Sequence, residues 1–302
     1  MRRALLLALV GSLALSASAS ALPRDYVLPG DQVFPEGIAI RPGTDQFFVT
    51  STTDGTIFRG TFGKRRTKVF LRPGLHGRTN ANGLAATRDR LIVAGSVTNR
   101  IFVYSLPDGK LVSRFNTGTG GLVNDVKVAP NGDAYATDSS RGLVFRVPAR
   151  QIRKRHAAVR RIDPFVNVLN TPIGQYANGL VPAGDRYLLV VGLSSGVLGR
   201  IDLKTKRVRT VDLGADPIPV GDGLAREGRT LYAVNSASRV SQYTLSPNWL
   251  SGQLRRHITS PRFRLPSTLA LTPKRLLVVN AQFDKRGGDP VLPFTVAAVK
   301  RP

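Results

Sequence analysis

One short frame recurs six times along the chain: Glu36-Gly37-Ile38-Ala39, Asn82-Gly83-Leu84-Ala85, Asn124-Asp125-Val126-Lys127, Asn178-Gly179-Leu180-Val181, Asp222-Gly223-Leu224-Ala225 and Ser267-Thr268-Leu269-Ala270. Successive first residues stand 46, 42, 54, 44 and 45 positions apart, which allots one supersecondary unit to each repeat. A turn signal and a second β-rich run follow every frame: Gln46 to Thr50, Arg90 to Ala94, Asp133 to Thr137, Arg186 to Val191, Thr230 to Val234 and Arg275 to Val279. A third run follows most of them, as at Asn99 to Ser105, Gly142 to Val147, Val197 to Leu203 and Val240 to Leu245. Alternation and β-branched or aromatic residues bounded by Gly, Asn, Asp and Pro mark these as strands of a meander. A meander repeating every ~40–50 residues predicts an all-β fold, a six-bladed β-propeller.

Such a ring has to close, because an unpaired terminal blade would leave sheet edges open. The sixth repeat offers three strands of its own, near Thr268 to Leu271, Arg275 to Val279 and Phe294 to Val299, and Asp25 to Leu28 is expected to pair as the missing outer strand. Residues 22–302 are then one propeller domain closed by pairing of its N- and C-terminal strands. The longest step contains Pro148 to Pro164, a basic stretch expected to be a surface insertion between blades three and four. Residues 1–21 read as a secretory signal peptide, with Arg2 and Arg3 before the apolar Ala4 to Ser16 and small residues at Ala19-Ser20-Ala21. Export to the extracellular side is expected, and no later apolar run approaches the ~18 residues of a membrane span.

Charge narrows the partners. The chain carries 44 Lys+Arg against 19 Asp+Glu, a formal net charge of +25. The cations come in short clusters such as Lys64-Arg65-Arg66, Arg153-Lys154-Arg155 and Arg255-Arg256, without the single basic arm or aromatic-basic pattern of a nucleic-acid reader. A solvated surface, or attachment to anionic envelope polymer, is the expectation. No Cys is present and the three His are isolated, which removes disulfides, thiolate sites, cysteine nucleophiles and His-built metal centres.

In a propeller the first strand of each blade lines the axis, so the residues opening the six frames converge on one mouth. They are Glu36, Asn82, Asn124, Asn178, Asp222 and Ser267, all bearing side-chain oxygen. Confined carboxylates repel unless a cation intervenes or one takes a proton. Amide carbonyls with carboxylates are the ligands of a hard divalent ion, Ca²⁺ first, with Mg²⁺, Mn²⁺ and Zn²⁺ as alternatives. The competing reading makes Asn-Gly and Asp-Gly simple turns. Glu36 is no turn former, and the in-frame set favours a metal on the axis.

The Phe34-Pro35-Glu36-Gly37 start, Asn124-Asp125 followed by Pro130-Asn131-Gly132-Asp133 and Ala134-Tyr135-Ala136-Thr137-Asp138, Asn178-Gly179-Leu180 and Asp222-Gly223 together resemble the SMP-30/gluconolactonase/LRE family of six-bladed propellers. More distantly they resemble paraoxonases and strictosidine-synthase-like proteins. The resemblance implies Glu36, Asn178 and Asp222 as metal ligands, Asn124 as a further ligand or substrate contact, and Asp222 also as general base. It implies a Ca²⁺-dependent lactone or ester hydrolase acting on a small molecule, and a monomer is expected. Gluconolactonase-like members carry Arg where this chain has Leu122, and paraoxonases place a channel His where it has Asn82; a ligand more apolar than a sugar lactone follows. The alternative function is a non-catalytic propeller held to anionic envelope material.

Smaller signals are read as structural. Gly192-Leu193-Ser194-Ser195-Gly196 matches a nucleophile elbow, but a strand follows it where a helix is required, so a hairpin turn is expected. His76 reads as an exposed loop residue, while Asp138 reads equally as a turn acid or as support for a metal ligand.

Overall fold

A computed structural model describes residues 24–156, 158–235 and 238–302; residues 1–21, expected from the sequence to be a signal peptide, lie outside them. Among the described residues the strands form six four-stranded antiparallel units. Their innermost strands are Pro35–Ile40, Leu84–Ala86, Val123–Val128, Ala177–Ala183, Gly221–Glu227 and Pro266–Leu271. Each packs beside the next, and the last packs beside the first, which closes the propeller ring.

The second strands explain why the sequence runs apolar there instead of alternating. A blade in a ring has a neighbour on both faces, so both side-chain sets are buried. In Gln46–Ser51, Phe47 enters the cluster shared with blade 6, beside Leu277 and Val296. Phe48, one residue on, enters the cluster shared with blade 2, beside Leu91 and Phe102. The same division recurs in Tyr187–Gly192, where Leu188 and Leu189 fall in different clusters. Six apolar clusters lie in this way between consecutive blades.

Ring closure follows the sequence expectation. Asp25–Val27 pairs antiparallel with Thr295–Lys300 in the register Asp25↔Ala297, Tyr26↔Val296, Val27↔Thr295. Tyr26 is 1% exposed and meets Phe47 edge-on at 4.8 Å between ring centroids. The first segment of the domain thereby becomes the outer strand of its last blade.

The basic insertion sits elsewhere than expected. It lies inside blade 3, between the third strand Leu143–Val147 and the outer strand Pro164–Asn167. It forms a short helix, Ala149–Arg153, and a strand, Val159–Arg161, that adds in parallel to the outer edge of blade 2 at Leu111–Asn116. Pro164 opens the outer strand, so the chain completes blade 3 only after this excursion. Cations cluster on outer strands elsewhere too: Lys64, Arg65, Arg66 and Lys68 of Lys64–Leu71, and Arg255 and Arg256 of Gly252–Ile258, are exposed. Charged edges of this kind block sheet-to-sheet association.

Truncating the closure anchor tests this account. Tyr26→Ala should lower unfolding free energy by about 3–5 kcal/mol, as for other fully buried aromatics, measured by denaturant titration of the protein lacking residues 1–21.

Candidate active site at the axial mouth

Five of the six anchors are strand residues and not turns, while Asn82 and Gly83 lead into the strand Leu84–Ala86. In five of the six innermost strands the register shifts across the frame: between Pro35 and Ile38, Val123 and Val126, Ala177 and Leu180, Gly221 and Leu224, and Pro266 and Leu269. A bulge re-aims the side chain it carries, here toward the axis. The glycine that follows four of the anchors, at 37, 83, 179 and 223, answers a different need. A Cβ on Gly83 would stand 2.6 Å from Asp125 Cα, and one on Gly179 would stand 2.8 Å from Leu224 N. Innermost strands crowd near the axis, and glycine supplies the clearance. Bulge N–H groups find hydroxyl acceptors on the second strand, Gly37 N on Thr50 Oγ1 at 2.7 Å and Asp125 N on Thr137 Oγ1 at 3.1 Å.

Five of the six anchors, Glu36, Asn82, Asn124, Asn178 and Asp222, line one cavity of about 310 Å³ at this mouth. Ser267 does not; it is buried and donates to Glu36 O at 2.9 Å, supporting the anchor beside it. Asn124 is tied to Ser139, donating from Nδ2 to Oγ at 2.8 Å, and Ser139 donates in turn to Ala177 O at 2.8 Å. Asn82 reaches Asn124 Oδ1 at 3.4 Å. Asn178 hydrogen-bonds the Asp222 carboxylate.

Charge in this ring is out of balance. Asp125, one residue past its anchor, occupies the space that Gly83 leaves and pairs with Lys127 Nζ at 2.9 Å through both oxygens. Glu36, Asp125 and Asp222 thus face one ammonium. Burial first, then Asp222 and Asp125, push the Glu36 carboxyl well above its ordinary value, with Lys127 opposing. Burial and Asp125 lift Asp222 from 3.8 to about 8, against the Asn178 hydrogen bond.

Two oxygens here are buried with no hydrogen-bond partner, Glu36 Oε2 and Asn178 Oδ1. Both belong to residues lining the cavity. Unpaired buried acceptors beside excess negative charge suit a hard cation with oxygen ligands. Among the described residues no group of three or more His, Cys, Asp and Glu is gathered for a metal; the donors here are two carboxylates and amides.

Apart from Ser139, the rest of the lining is mainly apolar, with Leu122, Tyr176, Leu193, Val220, Leu265 and Phe283 beside Pro266. Leu122, Tyr176, Val220 and Leu265 each stand two positions before an anchor, so aligning the repeats marks them, though only Leu122 stands out by residue type. Tyr176, Val220 and Leu265 have φ of 64°, 48° and 41°, a left-handed backbone uncommon for such side chains and concentrated at functional mouths. Leu193 and Phe283 come from loops after second strands and carry no sequence signal. The opposite mouth is a cavity of about 480 Å³ lined mainly by aliphatic side chains with Lys127 and Arg226, without convergent acids.

Three side candidates resolve as structure. Asp138 is fully buried and bonds Leu122 N at 3.1 Å and Arg141 Nη2 at 2.5 Å, fixing the loop before Asn124. His76 lines a separate cleft with Lys110, Arg155 and His156. Gly192 to Gly196 is the hairpin between Tyr187–Gly192 and Leu198–Asp202, with Ser195 Oγ donating to Ile173 O at 2.9 Å.

No family model matches the sequence, and no curated protein matches it significantly. Solved structures do resemble it in fold. The major allergen Mala s 1 of Malassezia sympodialis superposes with TM-score 0.68 at 14% identity, over 92% of this chain and 96% of that one. The RRP9 WD40 repeats give 0.64 at 10% identity, over 93% and 100%. Virginiamycin B lyase from Staphylococcus aureus gives 0.60 at 11% identity, over 93% and 99%. These likenesses establish the β-propeller architecture.

The raised carboxyls set a pH dependence. Each holds its proton in the folded state where the unfolded chain has lost it, so the stability present below about pH 4 is lost as pH rises toward about 8. Without added cation the melting temperature should fall between pH 5 and 8. Asp222→Asn should flatten that fall and stabilise the protein at pH 8 by on the order of 1–2 kcal/mol, read by thermal melts in chelator.

Proposed function

We propose that the protein is an exported, divalent-cation-dependent hydrolase of lactones or esters, with Ca²⁺ the preferred ion and the axial mouth its active site. The observation that carries the reading is the pair of orphaned acceptors, Glu36 Oε2 and Asn178 Oδ1, beside the half-buried Asp222 in an apolar-rimmed cavity. Glu36, Asn124, Asn178 and Asp222 would hold the ion. Two net negative charges remain when Glu36, Asp125 and Asp222 are ionised against Lys127, which matches a divalent cation. When bound, the ion would polarise the substrate carbonyl and stabilise the developing oxyanion.

The chain's own groups supply the remaining chemistry. Asp222 reaches the cavity surface and would take a proton from an attacking water. Asn124, fixed by Ser139, would orient the carbonyl group. Leu122, Tyr176, Val220, Leu265 and Phe283 would seat an apolar acyl or alcohol group and exclude water. The resemblance of the frame motifs to SMP-30/gluconolactonase/LRE propellers supports this reading. Two lyases, for virginiamycin B and streptogramin B, are among structures of this shape, so the fold is compatible with catalysis.

A panel of lactones and aryl esters, assayed with Ca²⁺ and with chelator, tests it. Turnover should require the cation, and Asp222→Asn should lower kcat/KM by roughly 100- to 10,000-fold. Cation-independent turnover, or none across the panel, would sink the proposal.

The exposed cations of the outer strands favour a second reading, retention on anionic envelope polymer. Binding to a polyphosphodiester-coated surface should then weaken steeply between about 50 and 300 mM salt. Substituting Lys64, Arg65, Arg66 and Lys68 by Gln should reduce it with turnover intact, as co-sedimentation would show.

A further inference from the structure

A side cavity of about 340 Å³ adjoins the axial one. Asn82, Leu122 and Phe283 are walls of both, so a ligand lying on Phe283 can extend from the buried acids into this lobe. The rest of its lining is Thr52, Asn80, Ser96, Val97 and Arg286. Its charge comes from Arg286.

This guanidinium is held in place. Its carbon lies 5.2 Å from the Phe34 ring centroid and 5.0 Å from that of Phe283. Nη2 donates to Thr52 Oγ1 at 2.5 Å, and Thr52 gives its own hydroxyl proton to Phe34 O at 2.6 Å. The loop that carries Arg286 is clamped at its base by Gln282, which is 2% exposed. The Gln282 side chain accepts from Val291 N at 2.8 Å and donates to Val291 O at 3.0 Å. Stacking uses the faces of a guanidinium and leaves its edge donors free to bind.

Arg286 also lacks a counter-charge. Among the described residues no carboxylate stands within ion-pair distance of it. Asp284 on the same loop pairs with Lys285 at 3.6 Å. A positioned, unpaired guanidinium in a small lobe recognises planar anions, and a carboxylate fits its fork. One cation among neutral Asn and Ser groups balances a monoanion better than a doubly charged phosphate.

We propose that the Arg286 lobe binds a carboxylate carried by the substrate. The substrate's apolar body then lies across Leu122 and Phe283, and its ester or lactone carbonyl reaches the Glu36 and Asp222 pocket. This substrate class, an apolar ester or lactone bearing a remote carboxylate, rests on the hydrolase reading above.

Two paired comparisons separate the two ideas. The first sets mono(4-nitrophenyl) adipate against 4-nitrophenyl hexanoate with the Ca²⁺-loaded wild type, Arg286→Gln and Arg286→Lys. The wild type should favour the acidic ester by roughly 10- to 100-fold in kcat/KM. Arg286→Gln should collapse that ratio toward unity through KM, and Arg286→Lys should restore part of it. Equal rates for both esters in the wild type, or an unchanged ratio in Arg286→Gln, would overturn the proposal. The second comparison measures calorimetric binding of 4-phenylbutyrate and 4-phenylbutyramide and needs no turnover. Acid binding at least 10-fold tighter than amide binding, and lost in Arg286→Gln of wild-type melting temperature, upholds the lobe even if neither ester is cleaved, in which case the hydrolase reading alone fails. No preference for the acid removes the lobe.

Discussion

Every blade of this protein has to be covered on both faces by its neighbours, and the rest of the architecture follows from that. A single four-stranded unit with Phe47 on one face and Phe48 on the other has no stable way to meet water. The units must therefore stand side by side, and a ring alone covers them all. Near the axis the innermost strands converge until side chains no longer fit between them. Glycines at 37, 83, 179 and 223 relieve that crowding, and bulges turn the preceding residues into the space left open. Packing geometry and site construction are thus one solution to the same constraint.

The charge distribution has a comparable logic. Positive residues crowd the outer strands, where they protect edges, while Glu36, Asp125 and Asp222 gather at the centre. With Lys127 opposing Asp222 and Asp125 around Glu36, the centre is short of positive charge although the molecule as a whole has an excess. Such separation lets the outer field draw anions toward the molecule, while the axis keeps its excess of negative charge. Positive charge at the rim of the blades and acids at the axis are thus kept apart by the width of a blade.

Much of this was legible in the sequence because it depends on local pattern. The recurring frame and the β-branched and aromatic runs between turn residues located the strands, though not their burial on both faces, and Asp25 to Leu28 could be matched to the sixth blade by counting its partners. Convergence of the anchors followed from the ring, with Ser267 as the departure. Other features depend on chain segments far apart in sequence. The glycine after four of the anchors looked compatible with a turn because the strand that crowds it belongs to the next blade. Pro148 to Pro164 shows no alternation that would say which sheet its short strand joins, and parallel addition to blade 2 is settled by tertiary contact. Arg286 meets Thr52 and Phe34 only after closure brings blade 6 against blade 1, so nothing local marks it.

The pairing of Asp25–Val27 with Thr295–Lys300 links segments about 270 residues apart. Contacts of such separation carry the largest loop-closure cost and form after more local sheets. During synthesis, the strand that emerges early must wait, unpaired, until the last blade has been made. The completed ring is consequently a late state, and interactions formed late in folding act mainly on how slowly a protein comes apart. Closure by the two ends of the domain thus makes the lifetime of the folded ring a property of one short strand.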